Sequence, residues 1–127
     1  MLWLYGIPSS ERHMEAMLKA RDLPQSVMSE LPEHGYMYFE GDRPVAAGFL
    51  RRCEKGLAML DNYISSPGEA SELRDKAFDL ITATLIEDAK RFEITTLLAF
   101  SLDRNVIIRA MKHGFVATPH IMTMMKV

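Results

Sequence analysis

A mixed α/β sandwich is the fold class this sequence predicts, and three observations predict it. Extended runs rich in aromatic and aliphatic residues ("GYMYFE", "VAAGFLRRC", "LAMLDNYIS") follow one another across the short turns "GDRP" and "EKG". From Ser71 the apolar residues recur every fourth position, and at "ITTLLAFSL" the pattern becomes extended again. Three strands on short turns make an antiparallel meander, whereas strand, helix, strand makes a right-handed crossover between parallel strands. The expected sheet is mostly antiparallel with one parallel pair.

Each element has its own signature. "MLWLYG" is apolar but lacks a basic leader and breaks at "IPSSER", so it reads as a strand rather than a signal peptide or membrane span. "PSSERHMEAMLKARDLP" starts on Pro8 and Ser9, carries Met14, Met17 and Leu18 at helical spacing, and closes at Pro24; a short second helix is expected in "QSVMSEL". In the long helix Leu73, Ala77, Ile81, Leu85 and Ala89, widened by Leu80 and Phe92, form the expected buried face, with Asp88 and the Glu87–Arg91 pair on the wet side. "ITTLLAFSL" reads as a strand buried on both faces. "DRNVIIRAMKHG" is a further helix, with Asp103 as N-cap and Gly114 as its stop. "FVATPHIMTMMKV" should supply one or two final strands, broken at Pro119. The expected order is β-α-α-β-β-β-α-β-α-β-β in a single domain, residues 1–127, with about four flanking helices.

Composition narrows the function. A chain of 127 residues buries roughly 65–70% of its unfolded surface and folds without staples. A formal charge of −2 gives no reason to expect nucleic acid or an anionic membrane as partner. Cys53 is alone, which excludes an intrachain disulfide and suits a reducing cytoplasm. The four His have no metal-ligand spacing, and the ten Met read as core filler.

The junction "ISSPGEASELRDKAFDLI", residues 64–81, is the chemically suggestive stretch. A helix that starts directly after a strand presents unpaired amides and a positive dipole end, which together favour anions. Two starts fit. Ser66 and Glu69 form a capping box with Pro67 at the first helical position, so that Glu69 covers the helix's own amides; or Ser71 caps, leaving "SPGEA" as a loop and the amides freer.

On this order of elements the chain resembles the GNAT acetyltransferase superfamily. "LDNYISSP" is similar to the family's fourth strand, "ELRDKAFDLI" stands where the family has its pyrophosphate loop and third helix, and "RAMKHGF" is similar to the end of its fourth helix. The resemblance spans the whole chain, most firmly residues 36–116, and implies that strands four and five splay apart to admit acetyl-CoA as co-substrate. It implies a pantetheine arm along the backbone of Tyr63, Ile64 and Ser65, and a diphosphate on amides between Gly68 and Lys76. Ser71 stands there as a possible cap, and Arg74 and Lys76 either supply charge or solvate the first turn. Asn105 and Ser101 would hydrogen-bond the pantetheine, or serve as cap and surface. Asp61 would act as base toward an unidentified amine acceptor, or be an exposed strand residue. Glu11, Glu15, Glu30 and Glu33 would suit a cationic acceptor, or form wet helix faces.

Four positions depart from the family's pattern. Ala77 and the anionic Asp79 stand at glycine positions of the loop, Pro67 lies further from Arg74 than usual, and Ala110 stands where many members have a tyrosine that protonates the CoA thiolate. The expected function is N-acetyl transfer from acetyl-CoA. The alternative is a catalytically inactive GNAT-fold binding or structural component, as in short phage-encoded members, or a CoA sensor. A homodimer is left open.

Overall fold

Among the described residues the apolar runs become five strands and four helical segments. The structure, a computed structural model, describes residues 1–6, 9–101, 103–119 and 125. In chain order these are β1 (Leu2–Leu4), α1 (Ser10–Ala20), a 3-10 helix (Gln25–Glu30), β2 (His34–Glu40), β3 (Arg43–Arg52), β4 (Leu57–Ser65), α2 (Ser71–Arg91), β5 (Thr96–Ala99) and α3 (Arg104–Lys112). The strands lie in sequence order in one sheet. All neighbouring pairs are antiparallel except β4 and β5, which run parallel from Leu57 opposite Thr96 to Leu60 opposite Ala99. The predicted crossover is therefore present. Phe115–Pro119 carry no strand; the rest of the expected final strands, apart from Met125, lies outside the described residues.

Helical spacing decides which face of the sheet each helix covers. Met14, Met17 and Leu18 of α1 pack with Met37, Phe39, Ala47, Phe49 and Ile64 on one face. Ala77, Ile81, Leu85 and Ala89 of α2 pack with Tyr38, Val45, Ala46, Leu50 and Ala58 on the other. Of the ten methionines, Met14, Met17 and Met37 are core residues. Side chains that alternate across a strand thus feed two separate cores.

Three expectations for these elements are corrected. β5 is a four-residue strand, half-buried at Leu97 and Leu98 and exposed at both ends. It is an edge among the described residues, which is why it is not covered on both faces. Leu80 is 42% exposed, because it sits one residue before Ile81 and is turned out of the buried stripe.

The third correction is Asp88, which is 2% exposed rather than on the wet side. Three residues after Leu85 and one before Ala89, it is carried inward by the same stripe. Tyr36 Oη donates to its Oδ2 at 2.5 Å, His34 Nε2 lies 2.7 Å from the same oxygen, and Arg91 pairs with Oδ1. Burial by itself pushes this carboxyl up, but the donors from Tyr36, His34 and Arg91 outweigh it and hold the group below its ordinary value. The partners from β2 lie 52 and 54 residues away, so no local pattern announces them. Conversely, hydrogen bonding to Asp88 adds to burial in pushing the Tyr36 phenol up to about 12.

Leu85→Ala is expected to destabilise the protein by about 2–5 kcal/mol, and Asp88→Asn by about 1–3 kcal/mol through its stranded donors. Because Asp88 has a depressed folded-state value, its contribution is present above the unfolded carboxyl value and is lost as pH falls through the folded one. Urea melts should therefore show the gap between wild type and Asp88→Asn in full at neutral pH and narrowing in strong acid.

Candidate functional site

A β-bulge opens the sheet. On β3, Phe49 stands opposite Asp61 and Ala47 opposite Ile64, so Gly48 alone faces both Asn62 and Tyr63. Asn62 takes the left-handed conformation at φ 53°, which asparagine tolerates better than most residues. Its amide donates to Asp61 Oδ1 at 2.9 Å, and the Arg51 guanidinium reaches Asp61 Oδ2 at 2.6 Å and the Glu30 carbonyl at 2.6 Å. Gly48 has to be glycine: a Cβ there would stand 2.8 Å from both Ile81 Cγ2 and Tyr63 Cε1.

Past the bulge, β4 leaves β5. Parallel pairing ends at Leu60, so Tyr63, Ile64 and Ser65 have no partner on the β5 side. The Ser66 amide donates to Val45 O on β3, so the Ser65 carbonyl points the other way, into the gap. Arg21, just after α1, takes that carbonyl with Nε at 2.9 Å and the Ser65 hydroxyl with Nη2 at 2.8 Å.

The gap is a cleft of about 710 Å³ that adjoins a smaller cavity of about 360 Å³, with Tyr63, Phe78, Val106 and Arg109 lining both. Of the residues singled out from sequence, Tyr63, Ile64, Ser65, Ser71, Arg74 and Asn105 line the cleft together. Asp61 borders the smaller cavity, with Ser101 and Ala110. Gly68, exposed at φ 85°, and Lys76, exposed on α2, line neither.

The helix start resolves to the loop alternative, shifted by one residue. α2 begins at Ser71 with Ala70 at the N-cap position and no side-chain cap; the first helical bond runs from the Arg74 amide to Ala70 O. Glu69 does not cover those amides. It is held by Arg43, at 2.6 Å from Nε, and this pairing lowers its carboxyl value. Ser66 Oγ donates to Pro44 O instead of capping. Asp79, expected among the loop's glycine positions, is well inside α2 and faces α3, 3.1 Å from His113 Nε2.

Sequence reasoning missed Arg21, Phe78, Arg109 and Lys112, all of which line the cleft. For three of them a signal existed. Ser71, Arg74, Asp75 and Phe78 form one helical stripe, and Asn105, Ile108, Arg109 and Lys112 form another; both border the cleft. Arg21 has no such signal, being 44 residues from Ser65.

The interior offers hydrogen-bond donors rather than bases. Tyr63 stacks on Phe78 with ring centroids 5.6 Å apart, and the Arg109 guanidinium lies over the Phe78 ring, 5.1 Å from its centroid. Tyr63 Oη is 2.9 Å from Thr82 Oγ1. Burial pushes the phenol up to about 12, against smaller opposing effects of Thr82 and Arg109, so it stays protonated. The cleft's cations are Arg21, Arg74, Arg109 and Lys112; its carboxylates are Asp75, paired with Arg109, and Asp103, which accepts the Asn105 amide. Among the described residues no helix is long and apolar enough to cross a membrane.

Gly48→Ala is expected to cost about 1–3 kcal/mol by forcing Tyr63 or Ile81 aside. Urea melts and amide chemical shifts across 61–65 would register both the loss and the displaced bulge.

No known family profile matches the sequence, and no curated protein sequence does. Solved structures do match over the full length. A GNAT-family acetyltransferase from Streptococcus pneumoniae superposes with a TM-score of 0.74 at 12% identity, covering 99% of this chain and 98% of that one. An aminoglycoside 6′-N-acetyltransferase from Acinetobacter haemolyticus gives 0.65 at 17% identity, covering 100% and 98%. AAC(6′)-Iy in complex with the bisubstrate analogue CoA-S-monomethyl-acetylneamine gives 0.71 at 10% identity, covering 100% and 97%. The fold of this chain is that of the GNAT acetyltransferases. Nothing in these comparisons points to a bacteriophage source.

Proposed function

We propose that the chain is an acetyl-CoA-dependent N-acetyltransferase acting on an amine, and the observation that carries this is the cleft where β4 parts from β5. Its wall is a strand edge with main-chain groups left without a β5 partner, and its floor is an uncapped helix start. Both fit a ligand that has amides along an extended arm and a diphosphate at one end. In this reading Tyr63, Ile64 and Ser65 bind the arm and Asn105 orients it. The diphosphate sits on the amides of the Gly68–Lys76 stretch, at Ser71, Glu72 and Leu73 in particular. Arg74 supplies charge there and has no ion-pair partner among the described residues. Lys76 adds charge from outside the cleft.

The thioester supplies an acyl carbon open to attack and a leaving thiolate. Asp61, at the point where the strands part, takes the acceptor's proton directly or through a water, with Arg51 and the Asn62 amide orienting its carboxylate. Ala110 offers no acid for the thiolate, and Tyr63 can hydrogen-bond it without readily giving up its proton, so solvent protonates it. The lone Cys53 suits a cytoplasmic protein, and a homodimer remains part of the proposal to be measured.

A second reading, a GNAT-fold protein that binds without catalysing, is favoured by two facts: both Asp61 oxygens are engaged, and Ala110 replaces an acid. Calorimetry with acetyl-CoA tests the shared premise. Wild type should bind, and Arg74→Ala should bind about ten- to a hundredfold more weakly, the loss of one charge-assisted contact of about 1.5–3 kcal/mol. Amine-dependent release of free CoA thiol that falls in Asp61→Asn would support the enzyme. Binding with no turnover over a panel of amines would support the second reading, and no heat from wild type would remove the enzyme and leave a non-enzymatic binding or structural component that does not use acetyl-CoA.

A further inference from the structure

α3 stands over the cleft without a buried side chain of its own. Val106, Ile107, Ile108 and Met111 are 36–54% exposed, so apolar packing does little to hold the helix down. Polar contacts to α2 hold it. Arg109 Nη2 pairs with Asp75 Oδ1 at 2.5 Å, and its guanidinium lies over Phe78. One turn further on, His113 Nε2 is 3.1 Å and Lys112 Nζ 4.0 Å from the Asp79 carboxylate. Irregular backbone flanks both ends, with Asp103 capping the start and Gly114 at φ 97° closing the helix.

Arg109, Lys112 and Asp75 line the cleft, and Asp79 lies one turn beyond Asp75 on α2, the helix that walls it. We propose that Asp75 and Asp79 set the cleft's affinity for a phosphorylated ligand. They stand in for its phosphates, holding Arg109 and Lys112 until the ligand displaces them. Binding thereby exchanges α2–α3 ion pairs for α3–ligand ones. The exchange favours the ligand, because half-exposed ion pairs are weak and a phosphate is the stronger acceptor for a guanidinium, but each carboxylate subtracts a little from that gain. It also means that α3 is ordered by α2 in the free protein and by the ligand in the complex. The inference rests on the cleft being the ligand site of the proposed function, but it needs no acetyl transfer.

Two carboxylates that compete with the ligand make a distinctive prediction: removing one should strengthen binding. Calorimetry with inorganic pyrophosphate and with acetyl-CoA should show Asp75→Asn binding about two- to fivefold tighter than wild type. Asp79→Asn should change in the same direction by less, since Lys112 is more exposed than Arg109. Arg109→Met should bind more weakly. Hydrogen exchange over residues 104–112 should be faster in ligand-free Asp75→Asn than in free wild type, and equally slow in both once ligand is bound. Wild-type binding with Asp75→Asn no tighter, or with α3 protection unchanged in the free variant, would overturn this inference and leave the proposed function standing. Absence of binding by wild type and all variants to either probe would remove the cleft as a ligand site, and the inference with it.

Discussion

One left-handed residue opposite one glycine decides what this sheet can do. The parallel pairing of β4 with β5 ends at Leu60, just before the bulge, so the main-chain groups of Tyr63 to Ser65 are not consumed in a ladder with β5. At the bulge, two β4 residues share the space of Gly48, and the strand leaves its neighbour. The conformation of Asn62 is not free for a non-glycine residue, and its surroundings offset it. Asp61 accepts its amide, and Arg51 ties that carboxylate to the 3-10 helix. Gly48 is the complementary half of the device. The aromatic ring of Tyr63 lies where a β3 side chain would otherwise be, which is how that ring reaches Phe78 and Thr82 on α2.

A cleft that opens on one side needs its walls held elsewhere, and α2 shows how. Its C-terminal half is locked to β2 through Asp88, a buried carboxylate whose donors come from Tyr36, His34 and Arg91. Its middle is packed through Ile81 and Leu85, both fully buried. Only the first turns face the cleft, with no side-chain cap on their amides and with Arg74 in no ion pair among the described residues. Stability and ligand-directed groups are thus at opposite ends of one helix, and a loss at one end need not disturb the other.

Most of the architecture was legible because periodicity is a local signal. The strand "LAMLDNYIS" has the boundaries its pattern gives, Leu57–Ser65, and the stripe at 77, 81, 85 and 89 is the buried one. Asp103 and Gly114 perform their expected roles at the ends of α3. What failed was long-range. Asp88 reads as surface because an aspartate on a helix usually is, and only β2 supplies the donors that let it be buried. β5 reads as a central strand because its composition is apolar, yet composition does not say how many strands flank it. At the cleft, Tyr63, Ser65 and Arg74 could be placed from the strand-to-helix junction. Arg21 could not, since nothing near residue 21 refers to Ser65. The bulge itself left no mark except an asparagine in a strand and a glycine on its neighbour.

The two faces of the sheet separate the two chemistries that the proposed reaction requires. Tyr63, Phe78, Thr82 and Arg109 lie on the α2 side, where the phenol stays protonated and the cations collect. Arg51 and Asp61 reach the 3-10 helix, which packs with the core on the α1 side. A phosphorylated ligand lying between α2 and α3 would therefore meet an amine arriving from the α1 side only where β4 and β5 part. Asp61 is the residue that borders this point from both directions: its backbone follows the last parallel pair, and its side chain is anchored across the opposite face. In that geometry Asp61 borders the same cavity as Tyr63, Thr82 and Arg109 while Arg51 holds its carboxylate from the other side. In the proposed reaction, acceptor and phosphorylated ligand would therefore meet at this one point, with the carboxylate and the donors on its two sides.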